Sequence, residues 1–272
     1  NYLGDQTVAS PLLTSRFTEW SADHVGNGVA YSYIRFRYSR TAFAGLPTVT
    51  FLIKGRKVRS VANLAAAPAY SQNPADVVYD YLTHPIYGRG FDETLIDLPS
   101  FQDSQTYYSI DNASLNVEET TFNNTQKLML GAFGALVYTN GEYRMIPFRP
   151  VNSTDIITES DIISEWSMLL GDKTSRFNTA RSTFSSVDDD YQRGSVYIQD
   201  TNFLADDNGL VLKKDLALDT VTEPDRAKLI TYEQMMMSRY DTVVQVTVPH
   251  TKQSIEPMDV VTFEHIFLPD SA

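Results

Sequence analysis

Asn73-Pro74-Ala75-Asp76-Val77-Val78-Tyr79-Asp80-Tyr81-Leu82-Thr83-His84-Pro85-Ile86-Tyr87-Gly88-Arg89-Gly90 reads as a short capped helix with a tight stop. Asn73 is a capping side chain, and Pro74 takes the first helical position, where a missing N–H costs nothing. Val77, Val78, Tyr81 and Leu82 make an apolar stripe at helical spacing, and Pro85 and Gly88 end the element. Upstream lies Gly45-Leu46-Pro47-Thr48-Val49-Thr50-Phe51-Leu52-Ile53-Lys54-Gly55-Arg56-Lys57-Val58. It reads as a strand over residues 48–53, a turn at Lys54-Gly55, and a return strand starting at Lys57-Val58-Arg59.

Outward from these two stretches the pattern is mixed. Residues 1–28 are irregular, with Trp20 and the turn-prone Gly26-Asn27-Gly28. Residues 29–38 alternate, with Ile34, Phe36 and Tyr38 on one face and Arg35 and Arg37 on the other, which predicts a half-buried strand. Residues 62–71 read as a linker. Helices are predicted over 99–109 and 123–133. Gly134 then leads into a strand over 135–139, Asn140-Gly141 is a type I′ hairpin signal, and 142–148 is the return. Thr158-Glu159-Ser160-Asp161 opens a helical turn. Strands over 176–184 and 195–199 flank the acidic turn Asp188-Asp189-Asp190.

Thr222-Glu223-Pro224-Asp225 is a helix start, with Asp225 at the reciprocal capping position. That helix runs to about residue 239 through Leu229, Tyr232, Met236 and Tyr240. Strands over 242–248, 260–263 and 265–268 close the chain. This order is neither βαβ-periodic nor repetitive, and it predicts a mainly β chain with α insertions, an α+β class.

The chain has 272 residues, 42% hydrophobic and 21% charged, ordinary values for a globular protein. It has no cysteine, which excludes disulfides, thiolate metal sites and cysteine nucleophiles. A net charge of -12 is the wrong sign for gripping phosphates, so no specific nucleic-acid binding is expected. No apolar run approaches the ~20 residues of a membrane span. No signal peptide is visible, and neither Asn1 nor Ala272 resembles a natural terminus, so an excerpt of a longer polypeptide is expected. The 16 Tyr and 14 Phe suit strands and protein interfaces.

Motifs of catalysis are missing. The four histidines, His24, His84, His250 and His265, have no metal-ligand spacing. Asp188-Asp189-Asp190 and Asp206-Asp207-Asn208-Gly209 lack the ligand alternation of a calcium loop and read as solvated turns. There is no Gly-x-Ser-x-Gly and no phosphate-binding loop, and Gly131-Ala132-Phe133-Gly134 is a helix end. Met235-Met236-Met237 reads as helix core with one Met exposed, or as an adaptable binding face. Arg35, Arg37, Lys54, Arg56, Lys57 and Arg59 form a basic cluster on two predicted strands, either a solvated face or a contact with an acidic partner. No catalytic residue, cofactor or metal ligand is expected. The candidate interface residues are Arg35, Arg37, Arg56 and Lys57 on the basic face, with Tyr81 and Tyr87 in the capped-helix stretch.

Four segments together resemble the tail-tip (central fibre, baseplate-hub) proteins of long-tailed bacteriophages. They are Gly28-Val29-Ala30-Tyr31 with Phe43-Ala44-Gly45-Leu46-Pro47 through Val58; Asn73-Pro74-Ala75 with Asp80-Tyr81-Leu82-Thr83 and Tyr87-Gly88; Gly141-Glu142-Tyr143-Arg144 after its helix; and Pro257-Met258-Asp259-Val260-Val261 after the long helix. Met258 stands where the family pattern has glycine, which argues against a turn with positive φ there. The resemblance implies a structural virion protein and not an enzyme. It implies a β-barrel-type hub segment (1–60), a helix-plus-hairpin domain (61–150) and a second β hub domain with one long helix (151–272). Three chains would form a ring around the DNA ejection path, assembled in the host cytoplasm. Implied partners are the distal tail or tail-tube protein, the tape-measure protein and other tail-tip proteins, with a host receptor met through parts outside this segment. The alternatives are a host-surface module that binds glycan or outer-membrane protein, through Tyr-rich loops such as Tyr107-Tyr108, and a wall-degrading hydrolase.

Overall fold

The structure, a computed structural model, describes residues 1–37, 39, 41, 45, 47–107, 120–169, 175–240 and 242–266. The chain divides into two units, Asn1–Ile53 and Lys54–Ala272.

The first unit has little regular structure. Strand β1 (Tyr2–Leu3) pairs antiparallel with β2 (Ala30–Tyr31), and a single helical turn, α1 (Pro11–Thr14), lies between them. Aromatic stacking holds this unit together. The Tyr2 and Tyr31 rings are 4.5 Å apart, and Trp20 packs at 5.9 Å from Tyr31 and 5.3 Å from His24. The strand expected over 29–38 is paired only at Ala30–Tyr31, and Tyr38 lies outside the described residues. The strand expected over 48–53 forms no ladder among the described residues, and Phe51, Leu52 and Ile53 are exposed. The physical reason is the same in both cases. An alternating sequence becomes a strand only when a neighbour takes its backbone N–H and C=O groups.

The second unit begins with β3 (Lys57–Val58), paired antiparallel with β4 (Ala69–Tyr70), so the expected linker over 62–71 carries a short strand. Helix α2 (Pro74–Thr83) follows as its sequence predicts, with the Asn73 side chain accepting from Ala75 N. It buries eight of its residues, including Tyr79 and Asp76 beyond the expected stripe. The chain then doubles back over the helix end. Arg89 N donates to Tyr81 O and Phe91 N to Leu82 O, both at 3.0 Å. Gly88 permits this approach, because a Cβ there would lie 2.1 Å from Tyr81 O.

Helices α3 (Leu98–Tyr107) and α4 (Thr121–Ala132) pack on α2, and the hairpin β5 (Gly134–Thr139)–β6 (Glu142–Pro147) packs on α3 and α4. The positive φ of Asn140 and Gly141 is what a type I′ turn requires. The core of this layer comprises Val61, Val78, Tyr79, Leu82, Phe101, Leu128 and Met145 with their neighbours.

A three-stranded sheet completes the unit, with β9 (Thr179–Ser186) at its centre. It is flanked by antiparallel β10 (Gln192–Gln199) and parallel β11 (Lys213–Leu218). Helix α5 (Thr201–Asp206) and β11 were not legible in the sequence. Helix α6 (Pro224–Met237) lies across one face of the sheet and buries Ala227, Ile230 and Met235 there. Glu223, not Thr222, takes the capping position, without a side-chain bond of its own, and Asp225 pairs with Lys228 at 3.0 Å. Two small pairings remain: β7 (Asp155–Ile157) runs parallel with β13 (Val261–Phe263), and β8 (Ser167–Leu169) antiparallel with β12 (Val243–Gln245). Of the last predicted strand, His265 and Ile266 are not in a strand, and 267–268 lie outside the described residues. The fold is α+β, and among the described residues no sheet closes into a barrel.

Candidate assembly interface

Two of the sequence-predicted residues, Arg56 and Tyr87, meet at the end of α2 with His84 and Asp80. Arg56 places its guanidinium carbon 4.0 Å from the Tyr87 ring centroid, and the His84 ring stacks on Tyr87 at 3.8 Å. The Tyr87 hydroxyl donates to Asp80. Burial pushes the Tyr87 phenol well above its usual range, and the bond to Asp80 adds to this. Tyr87 therefore stays neutral, a ring face that a cation can cover. A partly exposed cation–π pair of this kind contributes about 0.5–1 kcal/mol.

Lys57, on β3, is exposed; Arg59 bonds Glu93 at 2.7 Å, and Lys54 lies over Tyr70. Tyr81 is 5% exposed, and its hydroxyl accepts from Asn124 Nδ2 at 3.1 Å, so it fixes the helix from inside the core. Arg35 and Arg37 lie in the first unit and are exposed outside any strand.

The acidic turns do not act as one group. Asp188, Asp189 and Asp190 are exposed, whereas Asp207 bonds Arg239 at 2.7 Å and Asn178 at 2.7 Å. The Arg239 bond holds the Asp207 carboxyl below the usual carboxylate range. Among the described residues no cluster of His, Asp or Glu is placed to hold a metal ion.

The sequence did not show the exposed apolar side of α6. Leu229, Tyr232 and Met236, the residues that set the helical spacing of α6, do not face the sheet. Leu229 is 47% and Tyr232 39% exposed, and Tyr240, just past the helix end, is 79% exposed. The sheet side is filled by Ala227, Ile230, Thr231 and Met235. Helix α6 is thus apolar on two sides, a pattern that belongs to a helix covered on both.

Beside it lies a groove of about 1020 Å³ lined by Phe122, Leu130, Phe133, Tyr138, Phe148 and Met237 among others. Phe122 is 68% exposed there. Among the described residues Arg89 is the one charged side chain that lines the groove. Of the methionine run, Met235 is buried, Met236 half-buried and Met237 exposed at the groove.

Arg144, from the Gly141-Glu142-Tyr143-Arg144 motif, clamps two distant segments. It donates from Nε to Asp97 at 3.0 Å and pairs with Glu256, which also accepts from Asn140. Glu256 begins the turn through Pro257-Met258-Asp259, closed by Asp259 N donating to Glu256 O at 3.1 Å. Met258 has φ +73°, so the positive-φ turn of the family pattern persists without its glycine, contrary to expectation. A side chain in that region is strained by about 1 kcal/mol or more.

Comparison with known proteins bears on this architecture. A solved structure, the virion of a native gene transfer agent particle, contains a chain of similar fold, with a TM-score of 0.56 at 16% identity. The match covers 72% of this chain and 42% of that one. The baseplate hub protein pb3 of Escherichia phage T5 is 24% identical along 96% of this chain, which spans about a third (32%) of that relative's length. Residues 123–267, which contain most of α4, the hairpin, the three-stranded sheet, α6 and the Arg144–Glu256 pair, match the family described as "Putative phage tail protein". That is more than half of the chain, and the chain belongs to this family of phage tail proteins.

Proposed function

We propose that the chain is a segment of a tail-tip baseplate hub. Three copies form a ring that closes the end of the tail tube around the DNA ejection path. The observation that carries this reading is similarity to a baseplate hub protein along nearly the whole chain. The role is structural, in the virion tail, and no catalysis is involved.

Residues 1–60 and 151–272 supply barrel-type hub segments, and 61–150 the helix-plus-hairpin domain between them. Two-stranded sheets are marginal alone in water, and neighbouring copies would complete the walls. The exposed apolar side of α6 and the apolar groove are the kind of surface an assembled protein covers. The net charge of -12 keeps a ring of such chains from gripping passing phosphates. Arg35, Arg37, Arg56 and Lys57, with the Tyr87 ring, meet acidic surfaces of the tail-tube, distal tail or tape-measure proteins. Receptor recognition belongs to parts of the polypeptide outside this segment.

Virions made without the chain should carry tails with no closed tip and lose infectivity, and antibody against it should label the distal tail end. Normal, infectious tails in its absence would refute the reading.

A further inference from the structure

We infer that copies of this chain contact one another head to tail, the outer side of α6 on one copy entering the apolar groove of the next. The inference rests on the ring reading and assigns residues to it. The outer side of α6 is a convex ridge, Leu229, Tyr232 and Met236, extended by Tyr240. The groove is concave and similarly apolar, through Phe122, Leu130, Phe133 and Met237. A ridge does not fit a ridge, so the contact joins different surfaces, and contacts of that type generate rings when the rotation closes.

Charge favours a second copy as the occupant. In a chain with 34 acidic residues, the groove is lined among the described residues by a single charged side chain, the cation Arg89. Glu233, one helical turn from Leu229, flanks the ridge with its opposite charge. Two copies of net charge -12 repel one another over most of their surface, and this pairing sets an anion against a cation instead.

The absence of native cysteines allows a direct test on the full chain. Leu229→Cys and Phe122→Cys variants are co-expressed and treated with a short bis-maleimide. Tyr197→Cys, exposed on the three-stranded sheet, replaces Leu229→Cys as the control. The expected result is a cross-linked pair from L229C with F122C, at least ten times the yield of the control. In the same protein Arg89→Glu should cut that yield several-fold, and adding Glu233→Arg should restore it. Rings present by mass photometry but no cross-link above control would overturn this contact while leaving the ring intact. Monomers alone would overturn both.

Discussion

Helices α2 and α6 start with the same local signal, a proline in the first turn and an acidic residue beside it, yet they end in different environments. Helix α2 is enclosed. Eight of its ten residues are buried, and its two aspartates are bound inside. Asp76 accepts from Val61 N at 2.8 Å, from Ser71 Oγ at 2.6 Å and from Gln105 Nε2 at 2.7 Å. Helix α6 buries four of fourteen residues, and its outer side carries the exposed Leu229 and Tyr232 beside the Asp225–Lys228 pair. The difference separates a helix that holds the chain together from one that the chain holds out. Burial by the chain's own core makes α2 scaffold. An apolar side left in water is what gives α6 its proposed role as a contact surface.

The comparison breaks most readily at α2. Gly88→Ala puts a methyl group against the carbonyls of Tyr81 and His84, which are backbone and cannot move aside. It should lower stability by about 3 kcal/mol in chemical denaturation, the upper range for overpacking. Asp76→Ala leaves the Val61 N–H without its acceptor in the core and should cost about 2 kcal/mol by the same measurement. If either variant unfolds like the parent, α2 is not the enclosed scaffold described above.

Around α6 the expected effects are smaller. The Arg239–Asp207 pair ties the end of α6 to the β10–β11 connection, and the folded state holds the Asp207 carboxyl below its unfolded value. Its stabilisation is present at neutral pH, and it fades as pH falls below the unfolded carboxylate range near 4 towards the folded value. Arg239→Met should flatten that part of the stability-against-pH curve, and an unchanged curve would remove the pair from the account. The smallest effect on stability is expected on the outer side of α6. Leu229→Ser with Tyr232→Ser should change monomer stability by less than about 0.5 kcal/mol per site, as for exposed positions generally, while weakening assembly. A large loss of stability would place that side in the chain's own core.

Local signals were legible wherever the chain satisfies them locally. The Asn73-Pro74 start, the Asn140-Gly141 turn and the helix ending at Ala132 stand where their residues predict. What failed depends on partners distant in sequence. Residues 48–53 alternate like a strand, but no described segment pairs with them. Strand β11 is held by parallel pairing to β9 more than thirty residues earlier, for which sequence carries no local mark.

The two sides of α6 were not separable in the sequence for a related reason. Helical spacing identifies an apolar stripe but not which of two stripes meets the core, and in α6 the more conspicuous one, Leu229-Tyr232-Met236, faces outward. At Met258 the turn geometry outlasted the residue that usually permits it, since the Glu256–Asp259 bonds and the Arg144 clamp hold the turn closed.

Mass photometry of the full chain beside its Leu229→Ser, Tyr232→Ser variant asks whether the outer side of α6 joins copies into a ring. The expected result is a three-chain species for the parent and folded monomers for the variant. A parent that is monomeric, or a variant that assembles as the parent does, would contradict it.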